Sequence, residues 1–94
     1  MSSDDHYSPQ ADAQLDVLAS GPDVDLYNAV LDAIDHVLDN TDAARRTSPP
    51  LRDAAGKPVL ATVVMLERDP TWFVFWSDPP AGPVILGVGA LPSL

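Results

Sequence analysis

The 94-residue chain contains no cysteine, only five Lys and Arg residues, and no long apolar run. The lack of cysteine excludes disulfides, thiolate zinc ligands and a cysteine nucleophile. No apolar stretch approaches the roughly 20 residues that a membrane-spanning helix needs, and the polar start MSSDDHYSPQ has no apolar core of a signal peptide. We therefore predict one domain over residues 1–94, located in the cytoplasm, with no membrane partner, no cofactor and no metal.

The few basic residues all lie in the second half of the chain. Residues 1–44 hold ten aspartates and no Lys or Arg, whereas residues 45–94 hold five bases and four acids. Because the first half repels phosphate backbones, non-specific nucleic-acid binding by that half is not expected. Any bound anion should lie near the basic residues, which are Arg45, Arg46, Arg52, Lys57 and Arg68.

Two helices are predicted before the first Pro-rich segment. The first begins after Ser8 as N-cap, with Pro9 at the first helical position, and ends at Gly21-Pro22. The second covers DVDLYNAVLDAIDHVLDN, whose acidic face is expected to be solvated because one helix alone does not close a metal site. Its predicted core-facing residues are Tyr27, Val30, Leu31, Ile34, Val37 and Leu38.

The rest of the chain predicts a loop and then strands. We expect TDAARRTSPPLRDAAGKP to be a loop, since Pro49-Pro50 forbids helix there. Strands are predicted at residues 59–67, 71–77 and 84–89, and their short connections require antiparallel pairing. The fold class is therefore α+β, with two N-terminal helices packed on a three- to four-stranded antiparallel sheet. Residues 1–7 are expected to be flexible or to form a short edge strand.

The predicted sheet is apolar on both faces. In TWFVFWS the two tryptophans and Val74 lie on one side, and Phe73 and Phe75 lie on the other. Without interleaved Lys or Arg these aromatic residues favour core packing over base stacking. The helices can cover one face only. The second face is covered either by loops, or by a partner protein or a second copy.

These segments together resemble the RelE/ParE toxin superfamily of bacterial toxin–antitoxin systems. YSPQADAQLDVL is similar to the strand end and first helix of that family, and LYNAVLDAIDHVLDN to its second helix. PPLRDAAGKPVLATVVM is similar to its loop that enters the sheet, and TWFVFWS and GPVILGVG to the strands that complete it. The resemblance implies a RelE/ParE-like fold and an antitoxin-like partner. It also implies an activity, either cleavage of messenger RNA on the ribosome or poisoning of DNA gyrase.

The resemblance also suggests which residues would act. RNA-cleaving members place Arg and Lys on the sheet, where cations stabilise the developing phosphorane charge. Arg52 in PPLRD matches the basic loop residue of the family, and Arg68 is expected near the sheet. However, TWFVFW replaces a Tyr-Arg pattern and GALPSL replaces Gly-His-Arg, which predicts lost or altered chemistry.

Three functions therefore stay open. The first is a toxin-like endoribonuclease with impaired or lost activity, in which Arg52 and Arg68 are the catalytic candidates. The second is a non-catalytic protein-interaction module or homodimer on the same scaffold. The third is a gyrase-directed inhibitor, which needs no catalytic residue.

Overall fold

The computed structural model describes residues 6–52, 55–67, 70–79 and 82–91, and it has three helices followed by four strands in these ranges. The strands form one antiparallel sheet in the order β1-β2-β3-β4. The α+β class is confirmed, with one helix more than the sequence predicted. The elements are α1 (Pro9–Ser20), α2 (Val24–Asp39), α3 (Thr41–Thr47), β1 (Pro50–Arg52), β2 (Pro58–Val63), β3 (Thr71–Ser77) and β4 (Val84–Leu91).

The two long helices begin at the predicted caps. Ser8 Oγ accepts a hydrogen bond from the Ala11 N–H at 3.0 Å, and α1 starts at Pro9, whose missing N–H costs nothing there. The Asp23 carboxylate accepts from the Leu26 N–H at 3.2 Å at the start of α2. These short polar side chains satisfy N–H groups that have no partner inside the helix, so both helix starts are local properties of the sequence.

The prediction of a loop from residue 41 to residue 58 was wrong in two places. Residues 41–47 form α3, in which Thr41 Oγ1 donates to the Val37 carbonyl at 2.7 Å. The alanines of α3 favour helix. Asp42 lies in the first turn and Arg45 and Arg46 lie in the last turn, so each end carries the charge that the helix dipole favours there. After Pro49, β1 pairs with β2 in a short hairpin. Pro50 is tolerated there because β1 is an edge strand.

The other strands agree with the sequence in position but not in every boundary. The bounds of β3 are those predicted, whereas β4 continues two residues further, to Leu91. The strand predicted over residues 59–67 ends at Val63. Beyond it the Leu66 N–H bonds to the Val64 carbonyl at 2.8 Å, a tight turn that takes the chain out of the ladder.

The hydrophobic core lies between the helices and the face of the sheet that carries Val74 and Trp76, which we call the inner face. In α2 the helix is rotated relative to the prediction, because Leu26 and Ala33 are buried while Tyr27 is half-buried. Ala33 faces β2 and lines a cavity of about 130 Å³ between α2 and the end of that strand. The largest fully buried side chains are Trp76, Ile34, Ile85, Val30, Val37, Val64 and Val74.

Tyr7 and Ser8, directly before α1, lie along the edge of β4, whereas residues 1–5 of the predicted flexible or edge segment lie outside the described residues. Tyr7 forms a parallel bridge with Ile85, and the Ser8 N–H donates to the Ile85 carbonyl at 2.9 Å. Ser8 Oγ also donates to the Leu86 carbonyl at 2.8 Å. These bonds occupy edge groups of β4 that would otherwise be open for pairing. None of the described helices is long and apolar enough to cross a membrane.

Candidate binding groove on the outer sheet face

The outer face of the sheet, opposite the core, is apolar and partly open. Strand alternation places Phe73 and Phe75 on it, with ring centroids 6.3 Å apart. Across β4 they pair with Gly89 and Gly87. Leu51 in β1 and Val63 in β2 remain 39% and 43% exposed. The prediction that both faces are apolar is confirmed, and α2 lies against the inner one.

A groove of about 710 Å³ crosses the outer face between the start of α1 and β1. Its size falls within the range of small-molecule and peptide sites, roughly 300–1,000 Å³. Gly87, one of its lining residues, pairs with Phe75 next to the register shift between Phe75 and Trp76. The residues that line it are Ser8, Pro9, Gln10, Leu51, Arg52, Val59, Phe75, Leu86 and Gly87.

Arg52 supplies the cation of this groove. It is the last residue of β1, is paired with Pro58, and is exposed at the rim. Its Nη1 donates to the Gly56 carbonyl at 2.8 Å, which fixes the guanidinium against the β1–β2 turn. Gly56 has φ +82°, a backbone conformation that favours glycine. The guanidinium has five N–H donors, and this bond uses one of them.

None of the other basic residues that the structure describes lines the groove, although Lys57 lies between Gly56 and Pro58, which contact and pair with Arg52. Arg45 forms ion pairs with Asp42 at 2.6 Å and with Asp78 at 2.5 Å. The hydrogen bond to Asp78, and then the one to Asp42, raise the pKa of Arg45 above its ordinary value. Arg46 is exposed on α3 and Lys57 is exposed just before β2. Arg68, the second catalytic candidate, lies outside the described residues.

The described lining of the groove offers binding groups but no obvious proton carrier. It contains no His, Asp, Glu or Tyr side chain. Ser8 is already engaged by the α1 cap and by β4. His6 bonds to the Pro83 carbonyl at 3.1 Å and does not line the groove. General acid–base catalysis needs a titratable group within reach of the substrate, and the described lining offers none. Because the lining combines apolar side chains with the Arg52 cation, it suits an apolar ligand with one negative charge.

Sequence reasoning found Arg52 and Phe75 but missed the rest of the lining. Leu51, Val59 and Leu86 come from three strands, and only the pairing of β1 with β2 brings the first two together. Alternation within each strand was the available signal, but it does not reveal which strands are neighbours. Gln14, also not singled out, accepts from the Val88 N–H through Oε1 at 2.7 Å and so ties α1 to β4.

The aspartates on the acidic face of α2 are exposed to solvent. Among the described residues, no group of three or more His, Asp or Glu side chains is arranged to hold a metal ion. Asp32, Asp35 and Asp39 are all exposed, in agreement with the predicted solvated face.

Comparison with known proteins adds no assignment. No protein-family model, no characterised protein and no solved structure matches this chain at a significant level.

Proposed function

We propose that this chain is a toxin-like component of a bacterial toxin–antitoxin system, of the RelE/ParE type, which works by binding through the groove on its outer sheet face. The observation that carries the proposal is the apolar groove with Arg52 at its rim. The parallel bridge between Tyr7 and Ile85 supports it as well, because the resemblance implies a strand end directly before the first helix.

The composition of the groove argues for impaired or lost nuclease activity. Phosphodiester cleavage needs cations placed before the reaction and groups that move protons. Arg52 supplies one cation, and the described lining supplies no titratable group for proton transfer. The ten aspartates of residues 1–44 also oppose docking to ribosomal RNA. We therefore propose that target binding dominates over RNA cleavage.

An antitoxin-like partner fits the same surface. Leu51 and Phe75 present apolar area that another chain can bury, and Arg52 can pair with a carboxylate of that chain. Such a partner would neutralise the protein by occupying its working surface. It would also stabilise the fold, since a ligand that binds only the native state shifts the unfolding equilibrium.

The test is growth of a bacterial host after induction of the native protein, Arg52→Ala or Arg46→Ala. Arg46→Ala is the matched control, because Arg46 is an exposed arginine on α3 that does not line the groove. We expect arrest by the native protein and by Arg46→Ala, and relief by Arg52→Ala. Arrest by all three would indicate a target reached without Arg52, such as gyrase. Absence of arrest by soluble native protein would refute the toxin-like function in that host.

A second candidate is self-association as a non-catalytic interaction module. The exposure of Leu51 and Val63 on one apolar face favours it. Sedimentation of the native protein and of Leu51→Glu over a range of concentrations distinguishes the two. A dimer that Leu51→Glu dissociates would support the homodimer, whereas a monomer at all concentrations would eliminate it.

A further inference from the structure

A second pocket lies between α1 and the inner face of the sheet. Its volume is about 330 Å³, near the lower end of the range for small-molecule sites, roughly 300–1,000 Å³. Trp72 of β3 and Val88 of β4 belong to the inner face, and one side of α1 lies beside them. We call this space the α1 pocket. The residues that line it are Gln10, Ala13, Gln14, Val17, Leu18, Trp72 and Val88.

Contacts within the protein hold the walls of the α1 pocket in place. Val88 is 5% exposed and belongs to the hydrophobic core, and Leu18 and Trp72 pack against that core. The Val88 N–H donates to Gln14 Oε1 at 2.7 Å, which fixes the Gln14 side chain against β4. Binding a ligand therefore requires little ordering of these side chains, as is usual for small-molecule sites.

The lining of the α1 pocket selects an uncharged ligand. Although the chain has a net charge of −9, the described lining contains no Asp, Glu, His, Lys or Arg. A charged group that enters an apolar site without a partner loses its hydration and gains no ion pair. The ligand should therefore be neutral, with a largely apolar surface that matches Val17, Leu18 and Trp72.

The polar groups of the lining favour a hydrogen-bond acceptor on the ligand. The bond from the Val88 N–H identifies the Gln14 atom beside β4 as the oxygen, so the Nε2 end of this amide carries the N–H donors. The amide of Gln10 lies nearby, since a Cβ at Gly87 would be 2.8 Å from Gln14 Oε1 and 3.7 Å from Gln10 Nε2. The Trp72 indole nitrogen can only donate, and its ring offers a flat apolar surface.

We propose that the α1 pocket binds a small, uncharged, mainly apolar molecule that carries an acceptor oxygen such as a carbonyl. Its apolar part lies against Val17 and Trp72, and its oxygen accepts from Gln14 Nε2. The apolar contacts supply most of the affinity, and the amide donor sets the orientation. This proposal does not depend on the toxin-like function, which uses the groove on the other face of the sheet, although Gln10 lines both.

The probe is phenylacetamide, which has a phenyl ring, a carbonyl oxygen and no charge. Phenylacetate has nearly the same shape and one negative charge, so it is the charge control. Binding is followed by nuclear magnetic resonance through the indole N–H signals of the two tryptophans. Trp76 is the internal reference, because its indole N–H is buried and donates to Thr62 Oγ1 at 2.9 Å.

We expect phenylacetamide to shift the Trp72 signal saturably, with a Kd in the millimolar range that suits a ligand of this size. The Trp76 signal should stay nearly unchanged. Phenylacetate should bind at least about fivefold more weakly, because the pocket gives its charge no partner.

Two substitutions of alanine test the location of the site. Ala13→Phe should weaken phenylacetamide at least about fivefold, because the new ring enters the space that the ligand needs. Ala19→Phe, the same change at an alanine of α1 that does not line the pocket, should alter the affinity less than about twofold. Both alanines are exposed, so both variants should keep the native spectrum.

Four results would each overturn the proposal. These are no saturation of the Trp72 shift at millimolar phenylacetamide, equal binding of phenylacetate, equal shifts of the two indole signals, and equal weakening by the two alanine variants.

Discussion

Replacing Thr62 with valine should destabilise the protein strongly, although the two side chains have nearly the same shape. Thr62 Oγ1 accepts from the Trp76 indole N–H at 2.9 Å and forms a 2.7 Å hydrogen bond with Ser48 Oγ. All three residues are buried. The hydroxyl therefore joins β2, β3 and the segment that follows α3 through a network shielded from water.

The magnitude follows from what valine leaves without a partner. A buried donor that loses its acceptor costs about 1–3 kcal/mol, and the Ser48 hydroxyl loses a bond with a net value of about 1 kcal/mol. We expect a loss of about 2–4 kcal/mol in the free energy of unfolding. Small domains have about 5–15 kcal/mol in total. Since about 1 kcal/mol shifts Tm by about 4–8 °C at this size, Tm should fall by about 10 °C or more.

Urea unfolding monitored by tryptophan fluorescence measures this loss, because Trp76 is itself buried in the network. Thr47→Val is the matched control: Thr47 is exposed on α3, and its hydroxyl bonds to the Ala43 carbonyl at 3.0 Å. The control should change stability by less than about 0.5 kcal/mol. Equal stability of Thr62→Val and Thr47→Val would show that the buried network does not stabilise the fold.

Two further predictions concern α1 and the segment before it. A Cβ at Gly87 would lie 2.8 Å from Gln14 Oε1, so Gly87→Ala should displace Gln14, break its bond to β4 and cost about 1 kcal/mol. Gly89→Ala, where the nearest contact is 3.8 Å, should be neutral within about 0.5 kcal/mol, and thermal unfolding compares the two. Burial, and then the charge of Asp35, raise the pKa of Tyr7 above its ordinary value of 10.0. The folded protein therefore holds the Tyr7 proton more tightly than the unfolded chain does. This difference stabilises the folded state fully below about pH 10, and the stabilisation is lost as pH rises through the raised pKa of Tyr7. The drop in Tm between about pH 9 and pH 11 should therefore be smaller for Tyr7→Phe than for the native protein, and an equal drop would contradict this assignment.

The parts of the fold that could be predicted are those that local signals determine. Ser8 and Asp23 cap their helices through bonds to residues three positions away, and β3 shows its two faces through simple alternation. The sequence does not predict α3, because its seven residues end one residue before Pro49-Pro50, a pair that favours a loop. The burial of Ala44 against the core helps to hold this short helix, and no sequence period reveals that contact.

The candidate groove could be predicted only in part because it is assembled from distant segments. Arg52 was identified by resemblance, but its place at the rim depends on the pairing of β1 with β2. Likewise, Arg45 was grouped with the anion-binding candidates, yet it pairs with Asp78, 33 residues further along the chain. Strand neighbours and long-range ion pairs follow from the tertiary arrangement, so composition and spacing could not distinguish Arg45 from Arg52.

We propose that the outer sheet face is the working surface of the protein, and growth after induction of two glutamate variants tests this proposal. Leu51→Glu puts a charge into the groove, and Val17→Glu puts the same charge at an aliphatic residue of α1 that is 71% exposed and outside the groove. With both variants shown to be folded by circular dichroism, we expect Val17→Glu to arrest growth like the native protein and Leu51→Glu not to arrest it. Arrest by Leu51→Glu at the native level, or no arrest by the native protein itself, would contradict it.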